Sequence, residues 1–173
     1  MPNTTASQTI GPYWHIIEDK AWADLTRFVA AGERIVLTGR VLDGDGAPCG
    51  DACVEIWQSD PPASDTFPGF GRANTDARGE FRLTTVRPGP VAGRGNAQQA
   101  PHIAIRILSR GLMDGLVTRA YFDGEPANVA DPLLSSIDDP ALRATLIARA
   151  EAPGVWRLDI KLQGDGETVF LDV

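Results

Sequence analysis

The sequence predicts an all-β protein, an antiparallel β-sandwich with an irregular N-terminal arm and one short helix. Three observations carry that expectation. At least seven strand-length runs alternate in hydrophobicity or are rich in β-branched residues. Turn-forming residues separate them, with eighteen Gly and thirteen Pro in 173 residues. Only one segment carries convincing helix signals. The length suits a single domain, which at this size buries roughly 70% of the surface its unfolded chain exposes.

Residues 1–33 read as the arm. They hold Gly11-Pro12 and the aromatics Tyr13, Trp14, Trp22 and Phe28, with little alternation and room for a short helix around Asp19 to Val29. Aromatics in such a segment must pack on the domain's own sheet or on a partner chain, and the arm is expected to reach a partner. The sandwich domain then covers 34–173. RIVLTGRVLD (Arg34 to Asp43) is a β-branched strand ending in the turn Asp43-Gly44-Asp45-Gly46. ACVEIWQS (Ala52 to Ser59) is the second strand. GRANTDARGEF (Gly71 to Phe81) reads as turn chemistry, with EFRLTTV following as a strand.

Pro88 to Pro101 is Gly-rich and polar, a long loop of the kind that serves sites or interfaces. HIAIRIL sets Ile103, Ile105 and Ile107 on one face, and LVTRAYF (Leu116 to Phe122) sets Val117, Arg119 and Tyr121 together. Asp138-Asp139-Pro140 supplies a helix N-cap and an early proline. The stripe Leu142, Leu146, Ile147 extends that helix until Pro153-Gly154 stops it. Trp156, Leu158, Ile160 and Leu162 then alternate with Arg157, Asp159, Lys161 and Gln163, one face on a core. Gly164-Asp165-Gly166 turns into ETVFLDV, making a C-terminal hairpin.

The apolar fraction is 43% and the charged fraction 23%, as in soluble globular proteins. A net charge of −7, with Lys20 and Lys161 the only lysines, excludes a nucleic-acid binder, which needs clustered basic residues. An anionic ligand would need a local Arg, which draws attention to Arg119. No stretch reaches the ~18 apolar residues of a membrane span, and the start lacks a secretory pattern. Cys49 and Cys53 make neither a disulfide framework nor a zinc site, so both are expected as free thiols in a reducing cytoplasm.

Catalytic constellations are sparse. There is no GxSxG elbow, no phosphate cradle and no paired-histidine metal motif. The chain holds two histidines and two tyrosines, and a His/Tyr metal site would require Tyr13, His15, His102 and Tyr121 to converge. Their spacing favours packing and hydrogen-bonding roles instead. The residues alone therefore describe an acidic, soluble, cytoplasmic β-sandwich. A non-catalytic binding module, monomeric and indifferent to any partner, remains open at this point.

Several motifs go further. SQTIGPYWH (Ser7 to His15) resembles the arm of the α chains in the protocatechuate 3,4-dioxygenase family of intradiol ring-cleaving enzymes. VEIWQSD (Val54 to Asp60), APHIAI (Ala100 to Ile105), LVTRAYFDGE (Leu116 to Glu125), DDPALRATLIARA and LQGDGETVFLDV follow in the family's order. The resemblance spans nearly the whole chain. It implies a paired α and β chain of one fold, assembled into larger oligomers. Ferric non-haem iron, held by two Tyr and two His of the β chain, opens protocatechuate between its hydroxyls. Both atoms of O2 are added, giving 3-carboxy-cis,cis-muconate.

The departures from the iron-binding pattern imply the α role. Where iron-binding chains carry a PAHIH-type strand, this sequence has Pro101-His102-Ile103-Ala104, keeping one His and replacing the other by Ala104. The PGPY tyrosine corresponds to Val91, and before Gly71-Arg72 there are Phe67 and Phe70 but no Tyr. His102 alone cannot hold ferric iron, so neither a metal site nor a catalytic residue is expected in this chain. By the same resemblance Thr9, Gly11, Pro12 and Tyr13 line the substrate pocket of the β chain. Arg119, in the matching TRxYF strand, is expected to order that pocket or the α/β contact, against the plainer reading of an edge salt bridge.

Overall fold

The computed structural model describes residues 4–16 and 18–172. Among them the β-strands are β1 (Arg34–Leu42), β2 (Cys53–Trp57), β3 (Phe70–Asn74), β4 (Glu80–Val86), β5 (Val91–Ala92), β6 (Gln98–Gln99), β7 (His102–Leu108), β8 (Leu116–Phe122), β9 (Ile147–Ala152), β10 (Val155–Arg157) and β11 (Ile160–Lys161). Two short α-helices, α1 (Pro132–Ser136) and α2 (Pro140–Ala144), and four 3-10 turns complete the described chain. Among the described residues no helix is long and apolar enough to cross a membrane.

One hydrogen-bonded path runs β11-β1-β10-β9-β8-β7-β2-β3, with β4 on the other side of β1; β5 and β6 form a separate ribbon. The path folds over on itself. Ile35 and Leu37 of β1 and Leu83 of β4 share one buried cluster with Val54 and Ile56 of β2 and Ile103, Ile105 and Ile107 of β7. The result is a two-leaved β structure with a single main core, as patterned strands require.

The sheet is mixed, which corrects the expectation of an antiparallel sandwich. β1 runs parallel to β10 and β11, and β8 runs parallel to β9. Parallel neighbours need a long crossover, and residues 123–146, carrying α1 and α2, provide it between β8 and β9. Two α-helices stand where one was expected. The Asp139 side chain does cap α2, accepting from the Ala141 amide, but the helix ends at Ala144 and Ile147–Ala152 is strand β9. Pairing of Ile147 with Tyr121 and of Ala148 with Phe122 overrides the helical stripe. Leu146 is fully buried, whereas Leu142 remains 43% exposed.

Two other readings change. Gly71 to Asn74, expected as turn residues, instead join Phe70 in β3 and pair along all of β2. The C-terminal segment turns at Gly164, with Thr168 donating to Lys161, then crosses to β8, where Leu171 bridges Val117. It is a turn followed by a departure to the opposite leaf rather than a hairpin.

The expected helix over Asp19 to Val29 is a single 3-10 turn, Lys20–Ala23, capped by Asp19. It lies over β3 and β4, the two strands that face each other without pairing. The Leu25 amide donates to Thr84 O at 2.9 Å, and the Leu25 side chain is fully buried in the main core. Gly71 makes room for it: a Cβ there would collide with Leu25 Cδ1 and the Trp22 carbonyl. The segment from Lys20 to Leu25 thus closes the open seam of the sheet.

Candidate functional site

Thr9 and Trp14 of the arm are held by polar contacts at one end of the β2–β7 pair. Thr9 Oγ1 donates to the Ser109 carbonyl at 3.0 Å and accepts from the Gly111 amide at 3.0 Å. Trp14 Nε1 donates to the Asp51 carbonyl at 3.0 Å, and the Asp51 carboxylate pairs with Arg110 at 3.0 Å. Between these anchors the chain turns at Gly11, whose φ of 75° lies in the left-handed region that favours glycine. Gly11-Pro12 projects the next residues outward, so that Tyr13 is 73% exposed and Ile16 68%. An exposed phenol on a pinned, turned segment is shaped to meet another surface.

The second set of polar residues lies on β8 and its covering loop. Arg119 Nη1 donates to Gln99 Oε1 at 2.7 Å and to Tyr121 Oη at 3.0 Å. Tyr121 donates in turn to Asp131 Oδ1 at 3.0 Å. Asp131 is fully buried and saturated: Oδ1 also accepts from the Leu133 and Leu134 amides at the start of α1, and Oδ2 from the Ala100 amide. Arg119's partners are thus an amide and a phenol, not the carboxylate of an edge salt bridge. Beside it opens a cleft of about 600 Å³ lined by Arg94, Gln99, Arg119, Leu133, Ser136 and Phe170.

Thr9 and Arg119 are not neighbours. Arg119 pairs with Ala104, five residues before Ser109, a separation on the order of 16 Å along a strand. Within one chain the arm residues and Arg119 therefore form two patches.

The four histidines and tyrosines also do not gather. His102 and Tyr121 are cross-strand partners with ring centroids 5.4 Å apart, while Tyr13 and His15 lie exposed on the arm. His102 Nδ1 meets the Ala100 carbonyl at 2.7 Å, which assigns the proton to that nitrogen. Burial holds the imidazole below its ordinary pKa and lifts the Tyr121 phenol above its own, so both are neutral at pH 7. Of the four iron-ligand positions that the resemblance aligns, Val91 and Ala104 fill two, a tyrosine-free stretch with Phe67 and Phe70 stands at the third, and this one engaged histidine at the fourth. Such a donor set offers no anionic ligand, and ferric iron does not fit it. Among the described residues no three His, Cys, Asp or Glu side chains converge. Cys53 is buried and its thiol is pushed up to about 12 by burial, which leaves it inert as a nucleophile.

Gln99 and Asp131 were not singled out from the sequence. Asp131-Pro132 carries the same cap-and-proline signal that marked Asp139-Pro140, so α1 and its buried aspartate were open to the same reading.

A model of the Dioxygenase family matches residues 16–164. The protocatechuate 3,4-dioxygenase alpha chain of Pseudomonas putida is 41% identical over 192 residues, covering 97% of this chain and 96% of that one. The beta chain of Burkholderia cepacia is 38% identical over 133 residues, covering 68% of this chain and 56% of its own. Among solved structures, the dioxygenase domain of a carbohydrate-binding fusion from Streptomyces sp. SirexAA-E superposes with a TM-score of 0.64 at 28% identity, covering 94% of this chain and 99% of that one. Catechol 1,2-dioxygenase from Acinetobacter sp. ADP1 shares the fold at a TM-score of 0.64 and 18% identity, covering 87% of this chain and 60% of that one.

Proposed function

The chain belongs to the intradiol dioxygenase family, and on that premise we propose that it is the iron-free α subunit of a protocatechuate 3,4-dioxygenase. One observation carries the reading. A chain so close to named alpha chains keeps, of the four ligands that the resemblance aligns, a single histidine engaged with a backbone carbonyl, with Val91, Ala104 and a tyrosine-free stretch in place of the others. The ferric iron would then reside in a homologous β chain, where it supplies the ring-opening chemistry with O2 when bound.

This chain's own residues contribute shape and orientation. Thr9 fixes the arm through its two backbone contacts, and Gly11-Pro12 sets its direction. Tyr13, exposed on the isolated chain, would lie against the β pocket, offering a flat ring to an aromatic acid and a hydroxyl to its polar groups. Holding the substrate in one orientation and excluding water from its ring would lower the barrier without any bond to the metal. Arg119, fixed by Gln99 and Tyr121, would order the polar lining of the α/β contact. The cytoplasm, where both thiols stay reduced, is the compartment this role implies.

The test is reconstitution. The chain is mixed with the β chain from the same source, and protocatechuate-dependent O2 uptake is followed. Activity that requires both chains supports the subunit reading. Failure of the chains to associate, or full activity of the β chain alone, contradicts it.

A further inference from the structure

Strands β2 and β7 pair as far as Cys53 and Leu108, and at that end of the ladder each passes into a turn. Asp51 and Arg110 stand just beyond the last pair, with Arg110 Nε 3.0 Å from Asp51 Oδ2. The Asp51 side chain is 14% exposed and that of Arg110 67%. An ion pair open to water on one side adds little to stability by itself. Its consequence lies in what the two turns hold.

The first turn is rooted in the sheet. The buried Thr75 hydroxyl donates to the Cys49 carbonyl and accepts from the Ala52 amide at 2.9 Å, which fixes the backbone on both sides of Asp51. The Asp51 carbonyl in turn accepts from Trp14 Nε1. The second turn projects from the sheet. The Leu112 amide donates to the Ser109 carbonyl at 3.1 Å, and Gly111 takes a φ of 87°, as the third residue of a type II turn requires. Arg110 and Gly111 are both exposed. The groups on either side of Arg110, the Ser109 carbonyl and the Gly111 amide, are the two that hold Thr9 Oγ1.

The arm therefore stands on two feet, Thr9 on the projecting turn and Trp14 on the rooted one, with Gly11-Pro12-Tyr13 between them. The Asp51–Arg110 pair ties one turn to the other. We propose that Asp51 and Arg110 are positioning residues for the arm: their ion pair fixes the spacing of its two anchors and thereby the place of Tyr13. This rests on the subunit reading above, in which the Tyr13 ring meets an aromatic acid in the pocket of the β chain. Neither Asp51 nor Arg110 touches that substrate. Without the pair the Ser109–Leu112 turn shifts, the Thr9 anchor loosens, and Tyr13 no longer holds the substrate in one orientation.

Two readouts separate the strut from the subunit reading. In this chain alone, exchange of the Gly111 amide proton is followed by NMR, with Thr9→Val, which removes its acceptor, marking the fully released rate. Asp51→Asn keeps the backbone carbonyl that holds Trp14 and loses the charge. It is expected to speed Gly111 exchange about fivefold, and Asp51→Asn with Arg110→Met no further than either alone, because both remove one shared contact. Arg110→Lys, which keeps the charge, is expected to recover most of the loss. In the pair with the β chain, Asp51→Asn and Arg110→Met are each expected to raise KM for protocatechuate about fivefold, with kcat and iron content unchanged. Arg110→Met, at an exposed position, carries the test should Asp51→Asn disturb folding as seen by far-UV circular dichroism. Unchanged Gly111 exchange, or losses that add in the double variant, overturns the strut. Faster exchange with an unchanged KM in an active pair overturns the positioning role and leaves the subunit reading standing. Unmodified chains that form no active pair refute the subunit reading, and the positioning role falls with it.

Discussion

Tyr121 donates its hydroxyl to Asp131 at 3.0 Å, and that fully buried carboxylate also caps helix α1 and accepts from Ala100. One side chain thereby ties β8, the loop before β7 and the crossover to β9. Asp131→Ala removes a helix cap and leaves several buried donors unpaired, so a loss of about 3 kcal/mol is expected in denaturant unfolding. Tyr121→Phe, which removes only the hydroxyl, is expected to cost about 1 kcal/mol.

The same pair of strands sets a pH signature. His102 is held below the ordinary 6.5 by burial, so the unfolded chain takes up a proton first as pH falls. Its contribution is present above about 6.5 and lost progressively below. Tyr121 is held above the ordinary 10.0, again by burial, so the unfolded phenol ionises first. Its contribution is present below about 10 and declines as pH rises further. Melting temperature against pH should show a shallower acid limb in His102→Gln and a shallower alkaline limb in Tyr121→Phe than in the unmodified chain.

Gly71 and Leu25 form the latch that closes the seam between β3 and β4. A methyl group at Gly71 would strike Leu25 Cδ1 and the Trp22 carbonyl. Gly71→Ala should therefore lift the Lys20–Ala23 turn and expose that segment to limited proteolysis, with cleavage at Lys20 or Arg27 rising severalfold. Leu25→Ala, a fully buried deletion, should cost about 3 kcal/mol without adding a clash.

Much of this was legible in the sequence because alternation and β-branching report burial directly. Strands β1, β2, β4, β7 and β8 lie where RIVLTGRVL, CVEIW, EFRLTTV, HIAIRIL and LVTRAYF suggested. β3 was hidden because Phe70-Gly71-Arg72-Ala73-Asn74 carries turn residues, and its glycine is explained only by Leu25, some 46 positions away in the chain. β9 was hidden because Leu142, Leu146 and Ile147 mimic a helical stripe, and only pairing with β8 decides otherwise. The mixed sheet has no local signal at all, since strand direction depends on where a crossover returns. At the candidate site, the sequence set Arg119 on one face with Tyr121 but gave no sign of Gln99, because a hydrogen bond from β8 across to β6 leaves no spacing rule.

Thr9 and Tyr13 make separable predictions for the reconstituted pair. Thr9→Val keeps the side chain's shape but loses both contacts to Ser109 and Gly111. It should lower association and kcat/KM together, by about tenfold, roughly the 1.4 kcal/mol expected of two hydrogen bonds, one part-buried and one exposed. Tyr13→Ala should raise KM for protocatechuate with iron content unchanged, because on the proposed reading its ring meets the substrate and binds no metal. Steady-state kinetics beside an iron assay distinguishes the two.

Iron stoichiometry decides which chain holds the ferric ion. The chain is purified alone and as a co-expressed pair with its β chain, and ferric iron is quantified beside the visible spectrum. The chain alone is expected to be colourless and iron-free, and the pair red-brown with one ferric ion per two chains. A lone chain that binds stoichiometric iron, or a pair that holds two, would contradict that expectation and return His102 and Tyr121 to candidacy as ligands.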